Sequence, residues 1–286
     1  MKDTVLFNGH WIEADSPVFS SQHRASLYGD GLFETLRSHS TDGVRFFESH
    51  YFRLMASLRI LRMEIPSEWS PEFLLDHLLD VTKKRAVNSR DVRLRLSVWR
   101  HGSTGYGSHA NGVDWCISGT PLDSTEYRET TDSPRILVFK DHAKPPGLLS
   151  TLKGPHSFLF GLAERFAKEN QATEALILTP DNHLLESSRS NLFILQGGQL
   201  YTPPLSAGCT KGVLRQAVLK TAKELGVPVI EKCMSPFDLQ RADEVWLSNA
   251  VHGIRPVREY KQAHYSLGKA NEFLSFIEEE SKIFSL

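Results

Sequence analysis

At 286 residues the chain has room for one or two domains with a full hydrophobic core. A formal net charge of −1 excludes bulk electrostatic attraction to nucleic acid or to an anionic membrane. Cys116, Cys209 and Cys233 are odd in number and far apart, which argues against a disulfide framework or a structural metal site and fits a reducing, cytoplasmic setting.

The first residues contain no long apolar run and no small-residue cleavage site, so neither a signal peptide nor a membrane span is expected. Residues 5–13 read VLFNGHWIE. Two short apolar runs flank Asn8-Gly9, a hairpin signal because both residues tolerate positive φ. Tyr28-Gly29-Asp30-Gly31 is a turn cluster ahead of a strand over 32–37. Residues 49–63 show helical periodicity, with Phe52, Met55, Leu58 and Leu61 expected to face the core and Arg53, Arg59 and Arg62 off that stripe. Ser70 ahead of Pro71 opens a second helix over 71–84.

Over 91–100, alternation puts Val92, Leu94, Leu96 and Val98 on one face and Arg93, Arg95, Ser97 and Trp99 on the other. Two arginines side by side repel unless something anionic lies opposite. That face is either an exposed strand surface with acidic neighbours or a pocket floor that grips a carboxylate. A glycine-rich loop follows over 101–111, then a strand over 114–119. Residues 120–134 are polar and aperiodic. The domain linker is placed there, at 121–133, between a small domain (1–120) and a larger one (134–286).

The larger domain opens on a strand over 135–139. Lys153 sits in a Ser-Thr-Leu-Lys-Gly-Pro break just before a helical pattern, and Glu186 lies in a later strand-like run. A helix and a buried strand (174–178) between them could fold the two ends back toward each other. A lysine in a partly desolvated pocket forms Schiff bases with aldehyde cofactors, and a carboxylate facing a pyridinium nitrogen keeps it protonated as an electron sink. A lone lysine after a loop is otherwise an ordinary solvated side chain. Gly197-Gly198 marks a hairpin. Gly208 and Gly212 precede a helical run, and a glycine-bearing turn into a helix N-terminus suits a phosphate, although many helices start this way. Strands over 227–231 and 244–247 with a short helix at 237–240, then a C-terminal helix over 268–283, complete the reading.

Several of these landmarks occur together in one family. Lys153, Leu162-Ala163, Glu174-Ala175-Leu176 and Glu186 through Asn191-Leu192-Phe193 follow its core pattern in order and spacing. His50 to Leu54 match its His-x-x-Arg-Leu, and Tyr28-Gly29-Asp30-Gly31 with Phe33-Glu34 matches a tract at the mouth of its active site. The chain resembles the fold-type IV pyridoxal-phosphate enzymes, or class IV aminotransferases. These include branched-chain aminotransferases, D-amino-acid aminotransferases and 4-amino-4-deoxychorismate lyases.

The resemblance implies an α/β (α+β) fold of two domains, small then large, with pyridoxal 5'-phosphate between them, in a homodimer. It makes Lys153 the catalytic lysine and puts Glu186 at the ring nitrogen. Arg53 and the backbone amides of Val213 and Leu214 hold the phosphate, with Asn249 and Ala250 near it. Tyr28 lies at the mouth, and Arg95, with Arg93 and Arg24, is the candidate grip on a substrate carboxylate. His156 stands where the family often has asparagine; it either approaches the ring hydroxyl or caps a helix.

The expected activity is amino transfer between an amino acid, D-amino acids favoured, and a 2-oxo acid. The alternative is 4-amino-4-deoxychorismate lyase, which yields p-aminobenzoate and pyruvate for folate synthesis. Phe33-Glu34-Thr35 and Asn249-Ala250 look like the lyases. The 101–111 loop lacks both the arginine that lyases often carry there and the Arg-x-His of bacillar D-amino-acid enzymes. The expected partners are small molecules, with no nucleic acid, membrane or metal.

Overall fold

The structure is a computed structural model that describes residues 3–39, 43–86, 91–102, 105–107, 112–124, 126–127, 134–154 and 157–281. The chain divides into two compact units: 1–126 with 153–155 and 281–286, and 127–152 with 156–280.

The first unit begins with the hairpin of β1 (Thr4–Phe7) and β2 (His10–Glu13). Its turn residues Asn8 (φ 47°) and Gly9 (φ 82°) are both left-handed, the backbone that matches strand twist in a two-residue loop. A five-residue α1 (Arg24–Tyr28) was not anticipated; His23 caps it by accepting the Ala25 N–H, and Gly29 ends it in the left-handed region. Then come β3 (Gly31–His39), β4 (Gly43–Val44), α2 (Phe47–Ile60), α3 (Pro71–Arg85), β5 (Val92–Arg100) and β6 (Val113–Pro121). The six strands form one antiparallel sheet in the order β2-β1-β6-β5-β3-β4.

Helix α3 starts as its sequence predicts, with Ser70 Oγ accepting the Phe73 N–H and Pro71 in the first turn. Val92, Leu94, Leu96 and Val98 are all buried. The reading of α2 needs one correction. Its buried stripe is Phe47, His50, Leu54, Met55 and Leu58, whereas Phe52 is 64% exposed. Uniform three-residue steps (52, 55, 58, 61) rotate around a helix of about 3.6 residues per turn, whereas the buried stripe mixes three- and four-residue steps. Position 52 falls on the opposite side, and Leu61 is already the C-cap.

The second unit contains β7 (Ile136–Phe139), a 3-10 turn (Leu148–Thr151), α4 (Ser157–Glu169), β8 (Glu174–Leu178), β9 (Leu184–Ser187), β10 (Asn191–Gln196) and β11 (Gln199–Thr202). After these come α5 (Val213–Glu224), β12 (Val229–Glu231), β13 (Glu244–Asn249), β14 (Gly253–Val257), the small pair β15 (Glu259–Tyr260) and β16 (Ala263–His264), and α6 (Gly268–Ser281). The eight-stranded sheet runs β12-β11-β10-β9-β8-β7, with β13 on β10 and β14 on β13. The helix expected at 237–240 is a single 3-10 turn, Asp238–Arg241. Leu176, Leu192, Ile194, Val245, Leu247 and Val257 fill a core under this sheet. The buried Glu244 carboxylate reaches the start of α6 and accepts the N–H groups of Lys269 (2.8 Å) and Ala270 (2.9 Å), a carboxylate at the positive end of a helix. Both units are mixed α/β.

Candidate active site

The candidate residues form two groups, one in each unit. In the first, β3 alternation turns Glu34 to the buried side and Phe33 to the other. Arg53 on α2 donates through Nε to Glu34 Oε1 (2.7 Å) and through Nη2 to Oε2, while His50 Nδ1 bonds Oε2 at 2.7 Å. Burial raises a carboxyl, but the Arg53 charge and the His50 hydrogen bond outweigh it and hold Glu34 down at about 2. An ionised carboxylate only accepts, so the His50 proton sits on Nδ1. His50 itself is depressed by burial, against the pull of Glu34, with the charges of Arg53 and Lys153 adding to the depression.

Lys153 belongs to this first group. Its carbonyl accepts the Phe33 N–H at 3.0 Å. The next residue, Gly154, is pressed onto β3: a Cβ there would stand 2.5 Å from the Gly31 carbonyl oxygen. Only glycine permits that approach, and it pins the lysine beside Phe33. Lys153 Nζ lies 4.8 Å from the centre of the Phe33 ring, and the Arg95 guanidinium carbon lies 3.8 Å from it. Arg95 Nε donates to Ser97 Oγ at 3.2 Å. No carboxylate among the described residues pairs with Arg95, whose pKa is lowered by burial and then by the charge of Arg93.

Arg24 is already committed. Its Nε pairs with Asp30 Oδ2 at 2.9 Å and its Nη1 donates to the Gly105 carbonyl at 2.5 Å. It lies over the Tyr28 ring at 5.0 Å, and the Tyr28 hydroxyl accepts the Gly105 N–H at 3.1 Å. Arg24 and Tyr28 thus both hold Gly105. Arg93 is exposed. His156 lies outside the described residues.

Nearby, His23 Nε2 and His101 Nδ1 meet Asp114 Oδ2 at 3.0 and 2.8 Å. Three such groups resemble metal ligands. However, His23 Nδ1 accepts the Ala25 N–H, so its proton is on Nε2 and points at Asp114. That tautomer offers no lone pair to an ion, and the cluster serves to cap α1.

In the second unit, β9 carries Glu186, which is buried. Its Oε1 accepts from Lys144 Nζ (2.6 Å) and Thr210 Oγ1 (3.3 Å), and its Oε2 accepts the Thr210 N–H (3.0 Å). A carboxylate has about four acceptor positions, so one remains, on Oε2. Lys144 escaped the sequence reading, because a lone lysine is assumed to be solvated. The Cys209 thiol beside them is pushed up to about 12, by burial and then by the Glu186 charge, and is no nucleophile.

Glu186 pairs across the sheet with Asn191 on β10. Asn191 Nδ2 donates to the Thr210 carbonyl at 2.8 Å, and its Oδ1 occupies the space that a Cβ on Gly212 would fill. Gly212 is the N-cap of α5 and brings no capping side chain. The N–H groups of Val213 and Leu214 form no hydrogen bond among the described residues, although both residues are buried. Buried donors without acceptors are costly, so this helix end calls for a ligand rich in oxygen atoms. Asn249 is internally engaged: Oδ1 accepts the N–H groups of Val251 (3.0 Å) and His252 (2.9 Å), and Nδ2 donates to Ser190 Oγ (3.0 Å). The Ala250 carbonyl accepts the Tyr127 hydroxyl at 2.9 Å.

Residues 31–260 match the family model described as amino-transferase class IV. The chain belongs to this family. The branched-chain-amino-acid aminotransferase of Escherichia coli K12 is 28% identical over 265 residues, covering 90% of this chain and 84% of that protein. The aminodeoxychorismate lyase of Bacillus subtilis is 26% identical over 280 residues, covering 91% and 88%. The solved Escherichia coli branched-chain amino acid aminotransferase superposes with a TM-score of 0.83 at 25% identity, covering 98% of this chain and 96% of that one.

Class IV aminotransferases work with pyridoxal 5'-phosphate, and the residues here fit it. The uncapped start of α5 suits the phosphate, and the open position on Glu186 Oε2 suits a ring N–H.

Proposed function

We propose that this class IV enzyme transfers an amino group between an amino acid and a 2-oxo acid. The observation that carries the reading is Arg95: a partly buried guanidinium with no carboxylate partner among the described residues, over the same aromatic ring as Lys153. Its planar fork suits a substrate carboxylate. Bound pyridoxal phosphate supplies an electron sink and carries the amino group.

Lys153 provides the amine that holds the cofactor, then takes and returns the substrate α-proton. Glu186 faces the ring nitrogen. Arg53 and the amides of Val213 and Leu214 hold the phosphate, with Asn249 and Ala250 close by. Arg95 binds the carboxylate. Arg93, Arg24 and Tyr28 act at the mouth, Arg24 through its bonds to Asp30 and Gly105. The D-amino-acid preference expected from the sequence is not supported by the relatives described above, which are named for branched-chain amino acids or aminodeoxychorismate. Branched-chain amino acids therefore lead. A homodimer in the cytoplasm belongs to the same reading, and light scattering should give twice the monomer mass.

The lyase is the second reading. Phe33-Glu34-Thr35, Asn249-Ala250 and the Bacillus subtilis relative favour it. One experiment separates the two. The protein is loaded with pyridoxal phosphate and its visible band followed. Bleaching by L-leucine, reversed by a 2-oxo acid, supports the aminotransferase, and bleaching by D-alanine or D-glutamate alone would restore the D-specific reading. An unchanged band with every amino acid, together with release of p-aminobenzoate from aminodeoxychorismate, would replace it with the lyase.

A further inference from the structure

Lys144 is fully enclosed. Its Nζ donates to the Ser150 carbonyl (2.6 Å) and to Glu186 Oε1 (2.6 Å) and lies 5.2 Å from the centre of the Phe160 ring. Its backbone N–H is tied to the Leu178 carbonyl at the end of β8 (2.9 Å). An ammonium buried this completely is costly unless it is paired and hydrogen-bonded. Among the described residues it is paired with one carboxylate, and that carboxylate is Glu186.

We propose that Lys144 is a positioning residue for the cofactor's ring nitrogen. It supplies the counter-charge beside the buried Glu186 carboxylate, and it fixes the orientation that leaves one acceptor position of Oε2 open. The inference rests on the reading that Glu186 faces the ring nitrogen. The other donors to Glu186 among the described residues are the hydroxyl and N–H of Thr210, which are neutral. Without the ammonium, Oε1 keeps only the 3.3 Å hydrogen bond from the Thr210 hydroxyl, so the carboxylate loses its charged anchor and its aim at the nitrogen. A carboxylate turned away from the nitrogen does not distinguish a protonated nitrogen from a C–H. Lys144 is not a second Schiff-base lysine, because its amine is already shared between Glu186 and Ser150.

The test compares two ligands on the cofactor-free protein by calorimetry: pyridoxamine 5'-phosphate and its 1-deaza analogue, in which C–H replaces the ring nitrogen. Neither forms a Schiff base, so the ratio of their dissociation constants reports on recognition of the nitrogen alone. The wild type should prefer the nitrogen ligand by about tenfold or more, the scale of a charge-assisted hydrogen bond. Lys144→Met and Lys144→Gln should bring the ratio close to one. Glutamine keeps a donor without the charge and serves if methionine does not fold.

A merely structural lysine would lower the melting temperature of either variant and leave the ratio intact. A folded variant that keeps the wild-type ratio would overturn the proposal and leave Glu186 at the nitrogen. A wild type that shows no preference would overturn the reading of Glu186 and this inference with it.

Discussion

At the scale of single residues, Glu34 makes the sharpest pH prediction. Its carboxyl is held at about 2 instead of 4.5 because Arg53 and His50 outweigh its burial. A depressed carboxyl contributes stability above its unfolded value and loses it as pH falls from 4.5 toward 2, here roughly 3 kcal/mol at most. His50 adds a loss of the same sign below 6.5, since it too is depressed in the folded state. Urea midpoints between pH 7 and pH 2.5 should fall in that window, and Glu34→Gln should flatten the part below 4.5. The variant should also lose about 3 kcal/mol at neutral pH, because Arg53 and His50 keep their places without their anion. Arg95 makes a kinetic prediction. Arg95→Ala should lower kcat/KM for amino acids by about 100-fold while leaving the affinity for pyridoxamine phosphate within about twofold, and Arg95→Lys should recover only part. Arg95 was legible from the two-residue period of its strand. Lys144 was not, because its partner is 42 positions away and no local pattern marks a lysine for burial.

At the scale of elements, the turn from Thr210 through Gly212 into α5 carries most of the local design. Thr210 donates to Glu186, Asn191 donates to Thr210, and Asn191 fills the space left by the missing Gly212 side chain. Gly212→Ala should displace the first turn of α5. The affinity for pyridoxamine phosphate should fall by about tenfold or more, while its dephosphorylated form should bind nearly as before, as calorimetry with both ligands would show. The signals that located elements were those with a local cause. Asn8-Gly9 and Gly197-Gly198 take left-handed backbone at hairpins, and Ser70-Pro71 starts α3. Where the cause was not local, the reading slipped. Strand β14 contains Arg255 and Pro256, which do not read as a strand, yet it pairs with β13 along five residues. The short α1 depends on a histidine cap, outside the usual set of Ser, Thr, Asp and Asn. Phe52 was put on the wrong face because a strict three-residue repeat winds around the helix instead of following one face.

At the scale of the molecule, no helix among the described residues is long and apolar enough to cross a membrane. A ligand that binds only the folded chain stabilises it by mass action. Pyridoxamine phosphate at about 100 times its dissociation constant should add about 2.7 kcal/mol. Calorimetry should show a concentration-dependent rise in melting temperature, and Lys153→Ala should keep that rise while failing to develop the visible band with pyridoxal phosphate. The mixed α/β build was readable from the interleaved helical and two-residue periods. The placement of Lys153 was not, since residues on both sides of it group with the second unit while 153–155 group with the first. This arrangement bears on recombination among relatives. A chimera spliced after residue 126 would graft a foreign β3 onto the host's own Lys153 and Gly154, and the fit of Gly154 beneath Gly31 leaves little tolerance for a mismatched backbone. Exchangeable cassettes for this chain should therefore be cut so that Lys153 and Gly154 travel with β3, which adds two crossovers, on either side of 153–155, to the one after residue 126.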